Sequence, residues 1–173
     1  MAKKKAKSKA RKAAPRKAKK VSPIPARHHS VTPSLTVRGG SDAIAFYVKA
    51  FGAKELARMP GPDGKLMHAE LRIGDSMIML ADEFPEMGTR SPQTVGGTST
   101  TLMIYVKDVD AAFRRAVEAG AKVTMPLADQ FWGDRYGQLS DPFGHNWAMG
   151  THKEDVSPKE MVRRMAALPP PQG

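Results

Sequence analysis

One signature occurs twice in the chain. "DAIAFYVKAFGAK" begins at Asp42 and "DAAFRRAVEAGAK" at Asp110; both open on Asp-Ala, both close on Gly-Ala-Lys, and they stand 110 − 42 = 68 residues apart. An internal repeat constrains architecture before any single residue does, because each copy is one structural unit. Each copy also carries an amphipathic helix pattern. Ile44, Ala45, Val48 and Phe51 form the apolar set of the first, and Ala112, Phe113, Ala116 and Val117 that of the second. Gly52 and Gly120 follow where a left-handed C-terminal residue is wanted.

Strand patterns surround both helices. "SLTV" precedes the first, and "AKELARM", "KLMHAELRIG" and "DSMIMLAD" follow it, separated by the turn signals "PGPDGK" and "GD". "TLMIYV" precedes the second, and "AKVTMP", "YGQLSD" and "HNWAMGT" follow it around "DPFG". Each half therefore reads β-α-β-β-β, an α+β chain of two tandem modules over residues 31–83 and 98–152. Ser157 with Glu160 makes a capping box, Pro158 opens a helix, and Met161, Val162, Met165 and Leu168 form a stripe expected to pack. That gives a domain over 31–156 and a C-terminal helix over 157–168, after a tail and linker over 1–30.

The net charge of +11 suggests a nucleic-acid binder until it is located. Residues 1–27 hold 12 of the 28 Lys and Arg and none of the 17 Asp and Glu, so residues 28–173 carry 16 − 17 = −1. The basicity belongs to "MAKKKAKSKARKAAPRKAKK", which lacks large apolar residues beyond Met1 and is expected to be disordered. Residues 1–20 could attract nucleic acid or another polyanion without sequence preference, or serve solubility alone. No cysteine is present, no apolar run approaches the ~20 residues of a membrane span, and no secretory signal is evident. The expectation is a soluble, cytoplasmic protein with no transmembrane segment.

Two β-α-β-β-β units, Gly-Ala at each helix end and an Asp-Pro-x-Gly turn before the last strand resemble the vicinal oxygen chelate superfamily. "MPGPDGKLMHAELRIGDSMIMLADEFPEMG", "WGDRYGQLSDPFGHNWAMGTH" and "EDVSPKEM" look like its PhnB-like glyoxalase/bleomycin-resistance subgroup. The resemblance covers about residues 31–168. It implies a curved mixed sheet around a cleft, with helices outside, closed within one chain or across a homodimer.

It also implies metal-ligand positions on the first and last strand of each module, usually His or Gln, Glu, His and Glu. Here those positions fall on Thr32, Met79, Thr101 and Ala148, which offer no such ligand set. The expectation is therefore no metal and no other cofactor. Alternation along "HNWAMG" places Ala148 toward the cleft and Trp147 and Met149 toward the helix, with His145 read as a hairpin residue at the turn exit.

Three further groups of residues could carry chemistry. In "LMHAELRI", Met67, Ala69, Leu71 and Ile73 form an apolar face, aiming His68 and Glu70 into the cleft as an acid-base or ligand pair; the bland alternative pairs Glu70 with Arg72 on a solvated strand face. "DQFWGDRYGQ" gathers Phe131, Trp132 and Tyr136 beside Asp134 and Arg135, a loop able to stack and orient a planar ligand, or to plug the sheet end while Asp134 pairs with Arg135. Gln138 and Ala148 extend this set, and Met79 lines the cleft at a lost ligand position. His28, His29 and His152 read as exposed. No Gly-rich phosphate loop is present.

The leading reading is a metal-independent binding protein for an apolar or aromatic small molecule. The rivals are a glyoxalase-like lyase using His68 and Glu70, with or without a divalent metal, and a nucleic-acid-associated protein acting through its tail.

Overall fold

Each copy of the repeat folds as strand, helix and three further strands. In the first module β1 (Ser34–Val37), α1 (Gly40–Phe51), β2 (Lys54–Pro60), β3 (Leu66–Ile73) and β4 (Ser76–Asp82) give a sheet ordered β1-β4-β3-β2. A short helix α2 (Pro92–Val95) lies in the connection. The second module follows as β5 (Thr101–Tyr105), α3 (Val109–Ala119), β6 (Lys122–Asp129), β7 (Asp134–Ser140) and β8 (Asn146–His152), ordered β5-β8-β7-β6. In both, the first and last strands run parallel and the other pairs antiparallel. This computed structural model describes residues 21–168, so the lysine-rich tail and the reading placed on it lie outside the described residues.

The helices end as their glycines require. Gly52 has φ 65° and Gly120 φ 117°, and their N–H groups return to carbonyls of the last turn. α1 begins at Gly40, two residues before the repeat signature, because Asp82 reaches across from β4. Its Oδ1 accepts the N–H groups of Gly39 and Gly40 at 2.8 Å, and its Oδ2 accepts that of Leu66 at 2.7 Å. A carboxylate at a helix N-terminus answers otherwise unpaired donors, and here it also joins three elements.

α1 and α3 pack against each other, and Arg115 of α3 donates to the Ala50 carbonyl at 3.0 Å. The buried face of α1 is Gly40, Ala43, Ile44, Phe46, Tyr47, Ala50 and Phe51, so Ala45 and Val48 of the expected stripe are on the exposed side. Nearly every residue of "AIAFYVKAF" is apolar, and the pattern alone could not select the face. In α3, Ala112, Phe113 and Ala116 are buried as expected while Val117 is exposed. Between the modules, Trp147 of β8 lies 4.6 Å from Phe51 and 5.5 Å from Tyr47 by ring centroids. Trp147 and Tyr47 are almost wholly buried, and side chains of this size contribute about 1.5–3 kcal/mol each when removed from water.

The two sheets each keep their own ladder of four strands rather than forming one continuous sheet. Residues 90–100 and a cavity of about 400 Å³, lined in part by Ser34, Thr36, Val95, Leu102 and His145, lie where β1 and β5 approach. His145 bridges this seam: its N–H donates to Asp141, and its Nε2 stands 3.0 Å from the Thr36 carbonyl of β1. It is thus a turn residue that also ties the modules.

α4 (Pro158–Ala166) is capped by Ser157, whose hydroxyl accepts the Glu160 N–H at 3.3 Å. The helix does not pack through its stripe: Val162, Met165 and Leu168 are all more than half exposed. Charged contacts hold it instead, Arg164 bridging Glu154 and Glu160 at 2.8 Å each.

Candidate functional site

Strand alternation divides each sheet into a helix-covered face and an open one. In the first module Leu35, Val37, Ala69, Leu71, Ile73, Ile78 and Leu80 join the core. Ser34, Thr36, Met79, Ala81, His68, Glu70 and Arg72 fall on the open face, with Met79 opposite both Ser34 and Glu70. Met67, expected with the core set, is half-buried and lines a small cavity with Ser34, Thr36 and Ala81. The cause is a bulge: pairing steps from Met59–His68 to Pro60–Leu66, skipping Met67, so Leu66 turns inward at 2% exposure.

His68 and Glu70 share that open face, their Nε2 and Oε1 atoms 3.8 Å apart, and Glu70 forms no ion pair with Arg72. They are not freely presented. The linker folds back so that His28 stands 3.8 Å from the same Glu70 oxygen, over a cavity of about 220 Å³ lined by Pro25, Ala26, Arg27, His28 and Glu70. His28, expected to be exposed, has a side chain only 10% accessible, and neither ring nitrogen finds a hydrogen-bond partner among the described residues.

The second module gathers most of the expected ligand-binding residues on one face. β7 starts at Asp134, earlier than the turn-rich sequence suggested, and alternation then sends Asp134, Tyr136 and Gln138 to the open side. Arg135 and Gly137 go to the helix side. Arg135 therefore does not pair with Asp134; it forks onto Asp110 of α3 at 2.6 and 2.7 Å and reaches Asp129 at 3.3 Å. Asp110 is held below the usual carboxylate range by this guanidinium.

Asp134 organises the open face. It is 4% exposed and accepts from the Tyr105 hydroxyl at 2.9 Å, the Trp132 indole N–H at 3.2 Å and His152 Nδ1 at 2.7 Å. Burial by itself would raise its pKa, but the hydrogen bonds from His152, Tyr105 and Trp132 outweigh this and hold it below the usual range. Trp132 meets Phe131 and Tyr136 edge-on, and Gln138 donates to the Tyr136 hydroxyl at 2.8 Å. Gly150 lies beneath Met103, whose Cε would stand 2.8 Å from a Cβ at this position, with Tyr105 in ordinary contact beside it. The floor of the face is thus Ala148 and Gly150, its wall aromatic and thioether.

His152 is the last residue of β8, not beyond the strand, and pairs across the ladder with Asp134. Its imidazole is raised in pKa by Asp134 first and by Asp155, 3.1 Å from Nε2, second. His152 is exposed as expected, but neither it nor Tyr105 stood among the expected site residues, although continuing the alternation from Met103 along "TLMIYV" places Tyr105 on the open face.

The positions where this fold would hold a metal shift by two residues on the first strand of each module. Ser34 stands opposite Met79 and Met103 opposite Ala148, whereas Thr32 precedes β1 and Thr101 pairs with Asn146. A hydroxyl, two thioethers and a methyl do not make a divalent-ion site of the hard or borderline kind. Among the described residues no group of three or more His, Asp or Glu side chains converges as metal ligands. The residues present do not fit the ion that the fold would otherwise carry.

Paired β-α-β-β-β modules with helices outside and an open face on each sheet define the vicinal oxygen chelate class of fold. The chain belongs to the Glyoxalase/Bleomycin resistance protein/Dioxygenase superfamily, whose family pattern matches residues 27–149. It is 50% identical over 141 residues to an uncharacterized protein of Mycobacterium tuberculosis, covering 80% of this chain and 83% of that one. Among solved structures it is similar to TioX from Micromonospora sp. ML1, at 30% identity and TM-score 0.56 over 70% of this chain and 96% of that one. It shares its fold with the PhnB protein of Bacillus cereus at 19% identity and TM-score 0.55, over 71% and 99%. No helix among the described residues is long and apolar enough to cross a membrane.

Proposed function

We propose that this protein binds an apolar or aromatic small molecule on the open face of its second module without a metal ion. The observation that carries the reading is the Asp134 cluster. One buried carboxylate immobilises Tyr105, Trp132 and His152 around a floor of Ala148 and Gly150, while the ligand positions of the fold hold Ser34, Met79, Met103 and Ala148. Aromatic groups fixed before binding lose little conformational freedom on contact, which favours recognition. The exposed stripe of α4 supports a homodimer as the working form.

The test is thermal unfolding of full-length protein, freed of metal by chelation, against a panel of neutral and charged aromatic compounds. A ligand at a hundred times its Kd stabilises by about 2.7 kcal/mol, or roughly 6–10 °C for a domain of this size. Such a shift, unchanged when Mn(II), Ni(II) or Zn(II) is restored, is the expected outcome. Stabilisation that appears only with a metal would overturn the reading.

The basic tail supports a second role in contacting polyanions. Full-length protein is expected to bind double-stranded DNA with an affinity falling steeply with salt, by a slope of about −0.9 per phosphate neutralised. A version beginning at residue 31 should lose that binding. Equal binding by both across a salt series would remove the role.

A further inference from the structure

We propose that the concavity at the end of β5 and β8, about 500 Å³ and lined by Tyr105, Val106, Lys107, Thr151 and His152, seats the carboxylate of a small aromatic acid. The proposal rests on the binding reading above and names the ligand class for one end of that face.

Asp134 accepts a hydrogen bond from His152 Nδ1 at 2.7 Å, which fixes the ring of a residue that lines the concavity and leaves Nε2 for another partner. What meets Nε2 is Asp155, 3.1 Å away on a side chain that is wholly exposed. The chain thus places one of its own carboxylates at the imidazole. An exposed ion pair of this kind is weak, because solvent screens it and the side chain gains freedom on leaving, so a ligand carboxylate replaces it at small cost.

The charge balance favours a monoanion. With Asp155 turned away, the lining carries protonated His152 and Lys107, and Asp134 pairs with His152, which leaves one net positive charge to be met. A doubly charged sulfate would exceed it. The aromatic preference comes from Tyr105: its hydroxyl is committed to Asp134 at 2.9 Å, which holds the ring in place, while the residue remains 62% exposed. A planar ligand can lie against that ring with its acid group at Nε2 and the Lys107 ammonium.

Full-length protein titrated with sodium benzoate near pH 6, followed by NMR of the histidine and tyrosine side chains, tests this. Benzoate is expected to move the His152 and Tyr105 signals, and benzamide, its neutral counterpart, to leave them in place. His152→Gln and Lys107→Met should each weaken benzoate binding about tenfold. Asp155→Asn should strengthen it several-fold, and because that side chain is wholly exposed this arm does not depend on the other variants folding.

Equal responses to benzoate and benzamide, tighter binding of sulfate, or an unchanged affinity in either His152→Gln or Asp155→Asn would overturn the subsite. If benzoate is silent while neutral aromatics still raise the melting temperature, the subsite fails and the broader reading stands. If no aromatic compound of any charge stabilises the protein, both fall.

Discussion

Replacing Asp141 with alanine is expected to cost about 3–5 kcal/mol of stability, lowering the melting temperature by roughly 8–15 °C. Asp141 opens the Asp-Pro-Phe-Gly turn, and its Oδ1 accepts the N–H groups of Phe143 and His145 at 2.9 Å, as a turn residue should. Its second oxygen leaves the turn. Oδ2 accepts the Trp147 indole at 2.9 Å and the hydroxyl of Tyr47 at 2.8 Å, on the helix of the other module. Alanine would leave four donors without their acceptor, the tyrosine and tryptophan groups in the interior between the modules. Burial, with the neighbouring Asp141 next, already raises the Tyr47 pKa well above its usual value, as expected for a phenol kept neutral in the core. Calorimetric unfolding decides the matter; a loss below about 1 kcal/mol would show that the turn is not the joint between modules.

Asp134→Ala should act on the site as well as on stability. The indole of Trp132 and the hydroxyl of Tyr105 would lose their acceptor and His152 its orienting partner, at a cost of about 2–4 kcal/mol and with loss of aromatic ligand binding. The pH dependence should change with it. His152 is raised above its ordinary value, so its contribution is complete below about pH 6.5 and disappears as pH rises through the folded value. Asp134 is lowered, so its contribution is present above about pH 3.9 and lost as pH falls through the folded value. The pair is therefore strongest between about pH 4 and 6.5. Melting temperatures measured from pH 4 to 9 should fall across the His152 titration in the wild-type protein and vary less there in Asp134→Ala. Superimposable profiles would exclude the dyad as the source of the dependence.

The geometry of the candidate face becomes legible once its strands are known, because a strand has a period of two. Once "DRYGQ" is read as strand, Asp134, Tyr136 and Gln138 must share a face, and once "HNWAMG" is, Ala148 must face away from Trp147. The same rule placed His68 with Glu70 and failed at Met67, where one extra residue in β3 shifts the phase. Arg135 was grouped with Asp134 only because its segment read as loop, in which neighbours can point together. In a strand they cannot.

Local chemistry, then, determined the duplicated β-α-β-β-β order, the glycine-closed helix ends and the alternation of each strand. Each depends on residues within a turn or two of one another, where steric rules act without reference to the rest of the chain. Tertiary structure alone decided which side of the almost wholly apolar α1 is buried, that Asp141 joins Tyr47 across 94 residues, that His28 covers Glu70, and that His152 answers Asp134. Those pairings depend on which distant groups must find partners once water is excluded, and such partners are set by how the two modules pack, not by the spacing of residues along the chain.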